Sequence, residues 1–125
     1  MEYQLSTELH IKNTSPSDNL EFQALFHNYF RAPSSEVLIF PLQHQSYYDK
    51  TAPTEEERST LKEETRTGVD VKKFTDFVYP NAPQTYVMTL PLRSIEIKTT
   101  ALKDVVVWNP QETGRKIADM EDGGW

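Results

Sequence analysis

The sequence predicts an all-β fold, an antiparallel β-sandwich, and three observations lead to this prediction. Apolar and polar residues alternate with a period of two over long stretches, which is typical of strands with one buried face. Turn sequences such as RAPSS, YPNAP and LPLR separate short apolar runs. The chain has 125 residues, a length that favours a single domain. Many short strands at close spacing therefore indicate a sandwich.

Two long strands are predicted near the N-terminus, over residues 3–13 and 20–31, with the turn TSPSDN between them. The apolar face of the first strand consists of Tyr3, Leu5, Thr7, Leu9 and Ile11. One face of the second strand is expected to pack in the core and carries Leu20, Phe22, Ala24, Phe26 and Phe30. Its opposite face mixes polar groups with Leu25 and Tyr29 and includes His27, a composition that can line a cleft.

The rest of the chain is predicted to be mostly strand. Six further strands are expected at 36–40, 45–50, 73–79, 84–90, 94–99 and 104–108. Residues 54–66 have almost no apolar face and are expected to form a solvated helical turn, with Thr54 and Glu57 as a capping box. A short helix is expected over residues 111–120, although Gly114 weakens it.

Composition excludes several classes of protein. The net charge is −6 at pH 7, and without a basic stripe the chain is not expected to bind nucleic acid. Because there is no cysteine, disulfides and thiolate zinc sites are excluded, and the three histidines lack metal-ligand spacing. No signal peptide is recognisable, and the runs EVLIF and DVVVW are far too short to cross a bilayer. A cytoplasmic protein without membrane contact is therefore expected.

His27 and Asp76 are the residues that the pattern singles out for chemistry. His27 can give or take a proton near neutral pH, although an isolated histidine on a strand is more often structural. Asp76 lies on a predicted apolar face, where a carboxylate needs partners, so it is either a ligand-binding group or a satisfied structural acid. Trp108 and Asn109 end an apolar strand, and they either fill core and turn the chain or form a platform for a sugar.

Five segments carry a resemblance to a known family. They are LSTELHIKNTS, FQALFHNYFRAP, SYYDKT, FTDFVYPNAP and DVVVWNPQETGRKIADMEDGGW. Together and in this order they resemble the hexose-6-phosphate mutarotases, or glucose-6-phosphate 1-epimerases, of the aldose 1-epimerase superfamily. The combination of F-H-x-Y, T-D-x-[VI]-Y and D-V-V-V-W-N-P is fairly specific. The resemblance implies a galactose mutarotase-like supersandwich of roughly twice this length, of which residues 1–125 would be the C-terminal portion.

The resemblance also implies an activity and roles for two residues. Family members interconvert the α and β anomers of a hexose 6-phosphate, with a histidine protonating the ring oxygen while a glutamate removes the O1 proton. His27 falls on the catalytic histidine, and Asp76 falls on the acid that holds the sugar. No metal or organic cofactor is implied, because the carbonyl forms and collapses by proton transfer alone. The implied partner is a small-molecule hexose phosphate.

Departures from the family pattern leave other functions open. The glutamate base is expected in a strand just after the DGGW sequence, and a second histidine and most phosphate-binding arginines in an N-terminal half. Gln111 stands where many relatives have tryptophan. From the sequence, none of Arg31, Lys50 and Arg93 can be assigned to the phosphate. The chain is therefore also compatible with a carbohydrate-binding β-sandwich that does not turn over, or with an inactive truncated fragment.

Overall fold

A computed structural model describes residues 3–117, which form two four-stranded sheets packed as a sandwich. The strands are β1 (Leu38–Phe40), β2 (Ser46–Asp49), β3 (Leu61–Glu63), β4 (Val69–Asp70), β5 (Thr75–Tyr79), β6 (Thr85–Leu90), β7 (Arg93–Lys98) and β8 (Val105–Asn109). A short helix, α1 (Glu55–Ser59), lies between β2 and β3, and a 3₁₀ helix (Gln111–Lys116) follows β8. Within residues 3–117, no helix is long and apolar enough to cross a membrane.

All strand pairs are antiparallel, which confirms the predicted fold class. The first sheet has the order β4-β1-β6-β7 and the second has the order β3-β2-β5-β8. A tight turn at Pro91 and Leu92 joins β6 to β7, whose register runs from Leu90 opposite Arg93 to Thr85 opposite Lys98. Five residue pairs join β5 to β8. This last pairing positions the candidate site.

The core lies between the two sheets. Tyr79 and Val107 enter it from the second sheet, and Val69, Tyr86 and Met88 enter it from the first. Because successive strand residues point to opposite faces, the neighbours of Tyr79 and Val107 along β5 and β8 point away from this core. The second sheet therefore has an outer face that the first sheet does not cover.

A buried ionic network adds to the core. The Glu64 side chain is 2 % exposed and accepts hydrogen bonds from Arg66 Nε at 2.9 Å, Arg66 Nη2 at 2.7 Å and Tyr79 Oη at 2.8 Å. Burial by itself would raise the pKa of Glu64, but these hydrogen bonds outweigh it and hold the pKa below its usual value. Burial and the bond to Glu64 raise the pKa of Tyr79. No local sequence pattern indicates this network, because its members come from separate strands and loops.

The predicted helical regions form only in part. Thr54 and Glu57 make the expected capping box, in which each side chain bonds the other residue's backbone N–H. However, α1 ends at Ser59, since Leu61–Glu63 pairs with β2 as a strand that the polar sequence did not indicate. Residues 111–116 are 3₁₀-helical rather than α-helical, and residues 118–120 of that prediction lie outside the described part of the chain.

The two predicted N-terminal strands are wrong. Within residues 3–117, no strand begins before Leu38. Leu5 is 92 % exposed and Leu25 is 73 % exposed, and of the face expected in the core only Phe26 is half-buried. Alternation shows which side chains could be buried together, but a strand also needs a neighbouring backbone for its hydrogen bonds. None of the strand pairs in the described part of the chain includes this segment. The six later predicted strands form, with ends shifted by one or two residues.

Candidate functional site

The candidate site lies on the outer face of the second sheet. Asp76 on β5 is directly opposite Trp108 on β8, so the carboxylate and the indole project from the same face. The Lys50 N–H donates to the Asp76 carbonyl at 2.8 Å, which extends the β2–β5 pairing by one residue. This face is the opposite of the one on which Thr75 and Tyr79 are buried.

His27 reaches this face from the extended N-terminal segment. Its ring centroid lies 4.9 Å from that of Tyr29 in an edge-on arrangement and 6.3 Å from that of Trp108. Tyr29 in turn lies 6.5 Å from Trp108. The imidazole is exposed to solvent, and the Trp108 ring is half-buried. Trp108 is also the cross-strand partner of Asp76. The structure therefore places His27 and Asp76, the two residues singled out from the sequence, next to the same tryptophan.

Asp76 has an unusual environment for a carboxylate. It is half-buried, and within residues 3–117 its carboxylate forms no hydrogen bond or ion pair. Burial raises the pKa of Asp76, the negative charge of Asp49 acts in the same direction, and the Lys50 ammonium partly offsets them. A half-buried acceptor with open lone pairs is suited to bind hydroxyl groups. Within residues 3–117, the Asp76 carboxylate is therefore not satisfied by a protein partner.

Lys50 and Tyr48 complete the polar side of the face. The Lys50 ammonium lies 5.0 Å from the centre of the Tyr48 ring and donates to the Arg58 carbonyl at 3.2 Å. These contacts hold a positive charge next to the Asp76 carboxylate. Lys50 belongs to the segment SYYDKT, which carries the resemblance, but the sequence indicates no role for it. Its position opposite Asp76 depends on the strand register, which sequence alone did not show.

Trp108 and Asn109 do not form a shared sugar platform. Asn109 pairs with Thr75 on the core-facing side, and its side-chain oxygen accepts the Gln111 N–H at 2.8 Å. The prediction that Trp108 fills core is also wrong, because β8 is an edge strand within the described sheet and Val106 on the same face is 44 % exposed. Trp108 alone therefore offers an aromatic surface, and Asn109 caps the following turn.

The remaining histidines lie outside the site. His10 pairs with Glu8 at 2.8 Å and His44 pairs with Glu63 at 3.0 Å, and all four side chains are largely exposed. Within residues 3–117, no group of three His, Cys, Asp or Glu side chains could hold a metal ion. Gln111 bonds the Val71 carbonyl and so ties the 3₁₀ helix to the loop before β5.

An imidazole, an open carboxylate and an aromatic ring on one surface can together bind and protonate a sugar. The carboxylate can accept from hydroxyls, the flat indole can pack against C–H groups, and the imidazole can exchange a proton near neutral pH. No solved structure was found that matches this chain. Residues 1–125, the whole sequence, match the family model for aldose 1-epimerase. The chain therefore belongs to the aldose 1-epimerase family, whose class of activity is the interconversion of the anomers of aldose sugars.

Proposed function

We propose that this chain serves the interconversion of the α and β anomers of a hexose 6-phosphate, with His27 as general acid and Asp76 as a sugar-binding group. One observation carries the assignment of the two residues: His27 and Asp76 both lie against Trp108 on one face of the sheet. Family membership supports the class of reaction. The motif combination around His27, Asp76 and Trp108 supports the 6-phosphate as substrate, because it resembles the hexose-6-phosphate mutarotases.

The reaction requires two proton transfers. His27 donates a proton to the ring oxygen while a base removes the proton from the O1 hydroxyl, and the bond between C1 and the ring oxygen breaks. The open-chain aldehyde rotates about its C1–C2 bond, and reclosure on the other carbonyl face returns both protons and gives the other anomer. A solvent-exposed imidazole suits the acid because it is reprotonated from water. The resemblance puts the base on a glutamate beyond Trp125.

Asp76 and Trp108 would hold the sugar while the proton moves. The unbonded carboxylate of Asp76 accepts from ring hydroxyls, and the indole packs against one face of the pyranose. Positioning matters because proton transfer needs the imidazole within hydrogen-bonding distance of the ring oxygen. Burial raises the pKa of Asp76, and a bound sugar would shield the carboxylate from water still further.

A sugar-binding module without turnover is the second candidate, and the exposure of His27 favours it. The segment that carries His27 forms no strand, so the imidazole depends on contacts such as those with Tyr29 and Trp108 for its position. An acid that is held loosely loses much of its catalytic effect, whereas sugar binding to Asp76 and Trp108 does not depend on it.

Polarimetry and calorimetry together test both candidates. Mutarotation of pure α-glucose 6-phosphate is followed with the longer protein that the resemblance implies, which carries the glutamate base, and with its His27→Ala and His44→Ala variants. His44 is another exposed histidine and lies outside the site. If the proposal is correct, His27→Ala lowers the rate by roughly a hundredfold, and His44→Ala leaves it unchanged. A wild-type rate in His27→Ala overturns the role of His27. Calorimetric binding of glucose 6-phosphate without any rate in the glutamate-bearing protein identifies the binding module instead.

A further inference from the structure

Two arginines that the proposed reaction does not use meet at a pocket on the first sheet. The pocket has a volume of about 410 Å³ and is lined by Arg31, Pro33, Leu90, Pro91, Leu92 and Arg93. Arg93 begins β7 directly after the tight turn, and Arg31 belongs to the extended segment that packs beside it. Arg93 Nη2 donates to the Arg31 carbonyl at 3.4 Å, which joins the segment to the hairpin.

The arginines that line this pocket differ from the other arginines of the protein. Three arginines pair with carboxylates: Arg58 with Glu55, Arg66 with Glu64, and Arg115 with Glu112. Within residues 3–117, the other two, Arg31 and Arg93, form no ion pair. The two arginines without a carboxylate partner are therefore the two that line the same pocket. In a chain of net charge −6, this is a local concentration of uncompensated positive charge.

The walls of the pocket contain no group that would repel an anion. Apart from the two arginines, the lining consists of proline and leucine side chains and contains no acidic residue. Guanidinium groups also match the geometry of phosphate oxygens, because their N–H donors lie in one plane.

We propose that the Arg31–Arg93 pocket binds a phosphoryl group. The two guanidiniums would donate to its oxygens, and the dianion would relieve the repulsion between two positive charges held at one site. The phosphoryl group is supplied either as free inorganic phosphate or as the substituent of a sugar phosphate. The binding of inorganic phosphate does not depend on the proposed anomer interconversion, so the two proposals can fail separately.

Titration with inorganic phosphate tests the pocket. Backbone amide signals of Leu90, Leu92 and Arg93 are followed by NMR at low ionic strength in the wild-type chain, in Arg31→Gln/Arg93→Gln and in Lys72→Gln/Lys103→Gln. The lysine variant has the same net charge as the arginine variant, and both lysines are exposed and lie outside the pocket. We expect the arginine variant to weaken phosphate binding by about tenfold or more and the lysine variant by less than about twofold.

Three results would overturn the proposal. They are equal phosphate binding by the wild-type chain and the arginine variant, equal losses of binding in the arginine and lysine variants, and no saturable phosphate binding by the wild-type chain.

A second experiment compares glucose 6-phosphate with glucose to find the source of the phosphoryl group. If glucose 6-phosphate binds more tightly than glucose and this difference disappears in Arg31→Gln/Arg93→Gln, the pocket receives the sugar phosphate. If the two sugars bind alike while phosphate binding still depends on the arginines, the pocket receives free phosphate.

Discussion

Asp76 lies directly opposite Trp108 across the β5–β8 pair, and this pairing sets a carboxylate beside an indole on the outer face of the second sheet. The inner faces of the same strands hold Tyr79 and Val107 in the core. The register that buries the core residues therefore also decides which polar group stands next to Trp108. A shift of the register by one residue would turn Asp76 into the core and remove the candidate site.

Substituting Asp76 should improve or preserve stability while it weakens sugar binding. The folded pKa of Asp76 is raised, mainly by burial, so the folded state binds more protons than the unfolded state above pH 3.8. The contribution of this group to stability therefore declines as the pH rises from 3.8 through the folded pKa. We expect Asp76→Asn to unfold at the same urea concentration as the wild-type chain at pH 7, or at a higher one, and to bind glucose 6-phosphate more weakly.

Asp49→Asn is the matched comparison for Asp76→Asn, with the opposite sign. Burial acts to raise the pKa of Asp49, but hydrogen bonds from Thr51 and Lys62 outweigh it and lower the pKa. Asp49 therefore stabilises the fold above pH 3.8, and this contribution is lost as the pH falls through its lowered folded pKa. We expect Asp49→Asn to cost about 1 kcal/mol at pH 7. An equal loss in Asp76→Asn would show that the Asp76 carboxylate is satisfied within the fold.

Truncating Trp108 should weaken sugar binding. Burying a CH₂ group against an apolar surface is worth about 0.8 kcal/mol, which corresponds to a change of about fourfold in Kd. We expect Trp108→Ala to raise the Kd for glucose 6-phosphate by about threefold to tenfold, and Trp108→Phe to retain most of the affinity. Isothermal titration calorimetry measures both.

Val106→Ala is the control for Trp108→Ala, because Val106 lies on the same strand and the same face and is 44 % exposed. This variant should bind as the wild-type chain does. Unchanged binding by Trp108→Ala, or an equal loss in Val106→Ala, would contradict the role of the indole as the surface against which the sugar packs.

Removing the charge of Glu64 should destabilise the fold. Glu64→Gln leaves the Arg66 guanidinium and the Tyr79 hydroxyl without their carboxylate, and Arg66 is only 35 % exposed. We expect a loss of about 2–3 kcal/mol in the free energy of unfolding, measured with urea. The neighbouring Glu63→Gln removes the same charge from an exposed pair with His44 and should cost less than about 1 kcal/mol. Similar losses in the two variants would show that the network adds little.

The predicted strands divide according to whether the structure gives them a hydrogen-bonded neighbouring strand. The runs around residues 75–79 and 85–90 were predicted correctly because alternation, short length and flanking turns agree, and the fold supplies neighbours for both. Residues 3–13 and 20–31 alternate just as clearly but form no strand. Leu61–Glu63 shows the reverse case, since a polar segment becomes a strand because β2 lies beside it.

The sequence by itself determined the all-β class and the capping box of α1, and it singled out His27 and Asp76 as candidates for chemistry. It could do so because side-chain period, residue type and cap spacing are local properties of the chain. Only the tertiary structure decided that Trp108 joins His27 to Asp76, that Lys50 stands beside that acid, and that Arg31 meets Arg93. Each of these contacts links residues far apart in sequence, and its geometry depends on strand register and sheet order, which no local pattern specifies.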